Sequence, residues 1–292
     1  MSAPESHPPA PDTLAADGHD LGSLALPVLL FGGTYGNVQA TQAIRDEAHR
    51  LRIPPARVLC TGDVCAYFAE PEACVQLIRD WGIAVVMGNC EESLGFGMDD
   101  CGCGFAEGTA CDLLSQAWYA FSAEALSDPS KAWMRTLPRR IRFSANGRTF
   151  TALHGAPDAI NRFVFASDNA LAGFMAEAGT DDVIGGHAGL QFTRRIGNRL
   201  WHNPGAIGMP ANDGTTDVWY SLLADDGAGG VRPLHRRLAY DHATAARRMR
   251  EAGLSIECAG ALESGLWPSL DVLPPLESAR TGQPLAEDAL VP

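Results

Sequence analysis

Short apolar runs that each end in a glycine-bearing polar turn constrain this chain more than any other feature. The run 26–31 ends in Gly32-Gly33-Thr34-Tyr35-Gly36-Asn37, and 57–60 ends in Thr61-Gly62-Asp63. A third, 83–87, ends in Gly88-Asn89-Cys90. Between them the spacing predicts helices over 38–51 and 71–81, the second with Ala73, Leu77 and Ile78 on one side. Strand, turn and helix in that repeated order predict an α/β fold with parallel strands. The polar loops then gather at the carboxyl ends of those strands, where such folds place their chemistry.

The second half reads as more β-rich. Segments 141–145 and 148–153 flank an Asn146-Gly147 hairpin turn, and 191–196 and 199–202 flank Gly197-Asn198. Further strands are expected at 182–184, 218–223 and within GGVRPLHRRLAY, with a helix over 242–252. Residues 1–24 and 274–292 lack hydrophobic periodicity and are expected to be disordered tails around one domain, 25–273. Residues 90–111 form a Gly- and Cys-rich insertion without a basic side chain, and a helix is expected to begin near Asp112.

Charge narrows the function classes. The formal net charge of −13 argues against a nucleic-acid partner, which needs a concentrated basic face. Polybasic membrane signals are missing, and no apolar run approaches the roughly 20 residues that span a bilayer. The opening MSAPESHPPAPD has no secretory pattern, so a cytoplasmic location is expected. In that setting the 8 cysteines are expected to be thiols or metal ligands rather than a disulfide framework.

Taken in order, the loops carry Asn37 after Gly36, Gly62-Asp63, Gly88-Asn89-Cys90-Glu91, His154-Gly155, Gly186-His187-Ala188-Gly189 and Asn203-Pro204-Gly205. Their order and flanking strands resemble the calcineurin-like metallophosphoesterase superfamily, whose pattern is D-x-H-G-N, G-D, G-N-H-[DE], H-G and G-H-x-H. The resemblance covers roughly residues 26–255. It implies a four-layer α-β-β-α sandwich and two divalent metals that bind phosphate oxygens and activate water. Carried over by position, one metal would be held by Asp63, Asn89, His154 and His187, all of them present. The other metal's private ligands are replaced by Gly33, Tyr35 and Gly189, and the histidine that helps protonate the leaving group is Cys90.

These replacements shape the remaining expectations. Cys90, Asn37 and Tyr35 are the candidate catalytic residues, with Tyr35 either bonding a phosphate or plugging the vacated site. Asn37 and Glu91 match positions that orient the loops. Cys101, Cys103 and Cys111, with Cys90 as an added metal ligand, form a candidate site for a thiolate-bound metal or iron–sulfur cluster. A Cys101–Cys111 disulfide is the main rival, because a Cys101–Cys103 ring is so short. Cys60, Cys74 and Cys258 read as core residues. The expected activity is hydrolysis of a small phosphate mono- or diester with manganese, iron or zinc. The alternatives are a non-hydrolytic metal- or cluster-binding protein on the same scaffold, or a pseudoenzyme that serves as an interaction partner.

Overall fold

A computed structural model describes residues 18–288. In chain order the strands and helices are β1 (His19–Ser23), β2 (Val28–Phe31), α1 (Val38–Arg50), β3 (Val58–Cys60), α2 (Pro71–Trp81) and β4 (Ala84–Val85). Next come α3 (Asn89–Phe96), α4 (Ala110–Ala125), α5 (Asp128–Met134), β5 (Arg140–Ala145), β6 (Arg148–Leu153) and α6 (Leu171–Ala178). The chain continues through β7 (Asp182–Ile184), β8 (Phe192–Ile196), β9 (Arg199–Asn203), β10 (Val218–Asp225) and β11 (Val231–Leu238). It closes with α7 (His242–Glu251), α8 (Ile256–Ser264) and α9 (Pro275–Ser278).

Among the described residues the strands form a five-stranded sheet, β11-β10-β2-β3-β4, and a six-stranded sheet, β1-β5-β6-β7-β9-β8. The period of two along β2 explains how they stack. Val28 and Leu30 face Ile141, Phe143, Phe150 and Ile184 of the other sheet. Leu29 and Phe31 face the opposite way, into a core shared with Ile44 of α1, Ile78 of α2 and Met249 of α7. The outer face of the six-stranded sheet packs Val183 and Trp201 against Leu171 and Met175 of α6. The expected four-layer α-β-β-α sandwich is therefore the observed one.

Local signals account for the helices that were expected. Asn37 caps α1 by accepting from Ala40 N at 3.1 Å. Pro71 opens α2, and Gly82, in the left-handed conformation at φ 70°, ends it. The parallel pairs β2–β3–β4 and β6–β7–β9 bring their carboxyl ends to one edge. There the sheets are joined, with Gly32 N beyond β2 donating to Gly205 O beyond β9 at 2.8 Å.

Both tail expectations need correction. His19–Ser23 of the expected 1–24 tail is an edge strand, parallel to β5, while residues 1–17 lie outside the described residues. Its side chains are mostly exposed, so no apolar alternation marks it. The stretch from 274 onward is pinned by polar contacts as far as residue 288. Glu277 accepts from Ser167 N and Oγ at 2.9 and 2.7 Å, and Arg237 donates to Leu285 O at 2.6 Å. Residues 289–292 lie outside the described residues. The start of the 90–111 insertion is also helical, as α3, and α5, α6 and α8 add helices that the periodicity did not mark. Among the described residues no helix is long and apolar enough to cross a membrane.

Candidate metal centre

Four side chains from both sheets converge at the carboxyl edge. Asp63 follows β3, Asn89 opens α3, His154 follows β6 and His187 follows β7. Around His154 Nε2 lie Asn89 Oδ1 at 3.0 Å, His187 Nδ1 at 3.1 Å and Asp63 Oδ2 at 3.2 Å. Donor atoms of Asp63, His154 and His187 all fall within 4.8 Å of one another, the one such group of three or more His, Cys, Asp or Glu among the described residues. Asp63 and His187 hold left-handed backbones, at φ 58° and 57°, a strained state that clusters at functional sites.

The surroundings fix what each donor presents. His154 Nδ1 donates to Thr61 O at 2.6 Å, which leaves the Nε2 lone pair facing the centre. Asn89 Nδ2 donates to Cys101 O at 2.9 Å, so its Oδ1 also turns inward. Glu91 accepts from the main-chain nitrogens of Asp63, Val64 and Gly88 at 2.8, 2.7 and 2.9 Å. That carboxylate clamps the Asp63 loop to the start of α3, the supporting place expected for it. Gly62, at φ 100°, allows the loop's close approach, because a Cβ there would stand 2.7 Å from Gly88 N and 2.9 Å from His154 Nδ1.

Electrostatics favours a cation. Burial alone would raise Asp63, but the two histidines hold its carboxyl down at about 2. Burial, reinforced by His154, pushes His187 down to about 3, so it is a neutral imidazole ready to ligate. Burial opposes charge on His154, but Asp63 raises it above the ordinary histidine value. Burial and the Asp63 charge push Glu91 up to about 7. A proton on His154 Nε2 can point at only one of its three neighbours. A metal ion would satisfy all four donors, and the separations of 3.0–3.2 Å from His154 Nε2 match neighbouring ligands at metal distances of about 2.0–2.2 Å. Two imidazoles, a carboxylate and an amide oxygen suit zinc, iron or manganese. The residues present therefore fit a divalent ion.

The other half of the edge is closed. A Cβ on Gly33, where the family pattern has its first Asp, would lie 2.2 and 2.3 Å from Tyr35 ring carbons. A Cβ on Gly189 would lie 3.5 Å from the Tyr35 hydroxyl. All three replaced positions thus meet at one phenol ring. The ring is buried, set at φ 54° and held edge-on by Tyr67 with centroids 5.0 Å apart. Of the two expectations for Tyr35, plugging the vacated side is the one that this packing supports.

Several expected site residues take other places. Asn37 spends its side chain on capping α1 and on donating to Gly208 O at 2.9 Å, so it supports the loop and does not face a substrate. Cys90 is buried, its main-chain N donates to Asp63 Oδ1 at 3.2 Å, and its Sγ accepts from Asn89 Nδ2 at 3.6 Å. Burial and the Asp63 and Glu91 charges raise the thiol's pKa well above its ordinary value, and Cys90 is not part of the converging donor group.

The cysteine group does not converge as one donor set. Cys101 and Cys103 form the disulfide that was the less expected pairing, because Gly102, at φ 61°, folds the chain to a Cα–Cα distance of 5.3 Å. Cys111 lies apart, lining a cavity with Cys258. The insertion instead holds the centre through the Cys101 carbonyl on Asn89. His202 is buried and bonded to Thr193 Oγ1 and Ser221 Oγ at 2.8 and 2.7 Å, a structural role. Two contributors escaped the sequence reading, the Thr61 carbonyl and Phe163, whose ring lies 4.2 Å from that of His187. A main-chain acceptor leaves no residue-type signal, and Phe163 sits in a loop without periodicity.

Comparisons with known proteins agree with this geometry. The model of the calcineurin-like phosphoesterase superfamily domain matches residues 16–224. A metallophosphoesterase from Sphaerobacter thermophilus has a similar structure, with a TM-score of 0.65 and 21% identity over 83% of this chain and 100% of its own. The hypothetical protein PH1004 from Pyrococcus horikoshii OT3 gives a TM-score of 0.70 and 15% identity over 84% of this chain and 100% of its own. A search of curated proteins finds no match.

Proposed function

The chain belongs to the calcineurin-like phosphoesterase superfamily, and we propose that within it the protein is a one-metal phosphoesterase acting on a small phosphate mono- or diester. The observation that carries this reading is the set of three acceptors within 3.2 Å of His154 Nε2, facing a plugged second half. Asp63, Asn89, His154 and His187 would hold the ion. Bound there, a divalent metal supplies Lewis acidity toward phosphate oxygens.

The protein's own groups set the limits of the reaction. Thr61 and Cys101 carbonyls keep the His154 and Asn89 donor atoms turned inward. Glu91 keeps the Asp63 loop in its left-handed turn. Cys90 stands where the family histidine would protonate the leaving group, yet burial and the Asp63 and Glu91 charges raise its thiol's pKa and make it a poor proton donor. Esters whose alcohol leaves readily without a proton therefore suit the site best.

Hydrolysis of p-nitrophenyl phosphate and bis(p-nitrophenyl) phosphate with added manganese, iron or zinc tests the reading. Metal-dependent turnover that disappears in Asp63→Asn is the expected result. A protein that binds metal yet leaves both esters intact with all three ions would overturn it.

A further inference from the structure

We infer that the cavity beside the half-site takes the aromatic leaving group of a phosphate ester, an inference that rests on the phosphoesterase reading above. The cavity is walled by Tyr35, Tyr67, Phe105, Phe163, Met209 and Trp267, and His187 is part of its lining. Neither a basic nor an acidic side chain lines it among the described residues, apart from the His187 imidazole.

Its position links it to the metal side. His187 belongs both to the donor group and to the cavity wall, with the Phe163 ring 4.2 Å from its own. Tyr35 and Gly189, two of the positions that lost polar ligands, are wall residues as well. A Cβ on Gly189 would touch Trp267 ring carbons at 3.7 and 3.8 Å, so the glycine leaves the space between Tyr35 and Trp267 open. With Tyr35 and Gly189 at positions where the family pattern has metal ligands, that side of the edge is an apolar wall.

Two kinds of chemistry then agree. A sugar or nucleoside in this mostly carbon-lined cavity would bring more hydroxyls than its few polar groups can pair, and each unpaired group costs roughly 10-fold in affinity. A flat apolar group loses nothing and gains the hydrophobic transfer. A phenol, with a pKa of about 10, also departs as its anion far more readily than an alkyl alcohol. That matches a site where Cys90 stands in place of the family histidine and does not line the cavity.

Calorimetric titration of the manganese-loaded protein with phosphonates, which cannot be hydrolysed, tests the assignment. Methylphosphonate reads the metal half-site, and naphthylmethylphosphonate reads the half-site and cavity together. The expected preference for the naphthyl compound is roughly 100-fold. It should fall below about 10-fold in both Leu114→Asp, which sets a charge at another residue of the wall, and Trp267→Ala. A wild-type preference near unity, or one that both variants keep, overturns the inference. If methylphosphonate fails to bind, the one-metal reading fails on its own. Naphthyl binding that remains and is lost in Leu114→Asp would still support an aromatic cavity, and its absence would remove both.

Discussion

Gly33→Ala should destabilise the protein only while Tyr35 is present. The added Cβ would sit 2.2, 2.3 and 2.8 Å from three Tyr35 ring atoms, against an ordinary carbon contact of about 3.5–4.0 Å. The backbone of Gly33 is not left-handed, so the cost is steric and not conformational. Tyr35 is buried and braced edge-on by Tyr67 at 5.0 Å, so the ring has little freedom to swing away. Overpacking of this kind costs about 1–3 kcal/mol. Tyr35→Gly should itself cost about 2–4 kcal/mol, at or below the usual loss for a buried aromatic. The ring borders a cavity, and glycine relieves the strain at φ 54°. In that background Gly33→Ala should be nearly neutral. Urea denaturation of the four proteins gives the coupling, expected at about 1–3 kcal/mol in favour of the double variant. Additivity within about 0.5 kcal/mol would refute the claim that Tyr35 fills the vacated ligand space.

Glu91→Gln replaces one acceptor oxygen of a buried clamp on three main-chain N–H groups. Chemical denaturation should show a loss of about 2–3 kcal/mol, and metal titration should show weaker binding through the loosened Asp63 loop; unchanged values for both would remove the clamp. His235, pushed down to about 4 by burial, binds a proton more readily unfolded, at about 6.5, than folded. Its contribution is therefore complete above pH ~6.5, fades as pH falls to about 4, and amounts to at most about 3 kcal/mol. The stability difference between wild type and His235→Gln, measured in urea at several pH values, should shrink across that window; a constant difference would contradict the assignment.

Much of the fold was legible because it rests on local patterns. The apolar run of β2, the Asn37 cap and the Pro71–Gly82 frame of α2 are all visible in neighbouring residues. The four candidate donors were legible through the family resemblance, whose motifs place each one beyond a strand or a tight turn. What stayed hidden depends on partners distant in sequence. β1 is held by main-chain pairing to β5, and the segment after 274 is fixed by Ser167 and Arg237, contacts that leave no periodicity. The cysteines misled for a related reason. Spacing showed four thiols within 90–111, but a left-handed Gly102 paired two of them and α4 carried Cys111 to another wall. Tyr35 could be seen to replace a ligand, whereas its lying across Gly33 required coordinates.

Metal quantification on protein purified with excess manganese and then desalted tests the central claim most directly. One tightly held divalent ion per chain is expected, falling to near zero in both Asp63→Asn and His187→Ala and unchanged in Cys111→Ser. Two ions per chain, or one ion that survives both substitutions, would contradict a single centre built from Asp63, Asn89, His154 and His187.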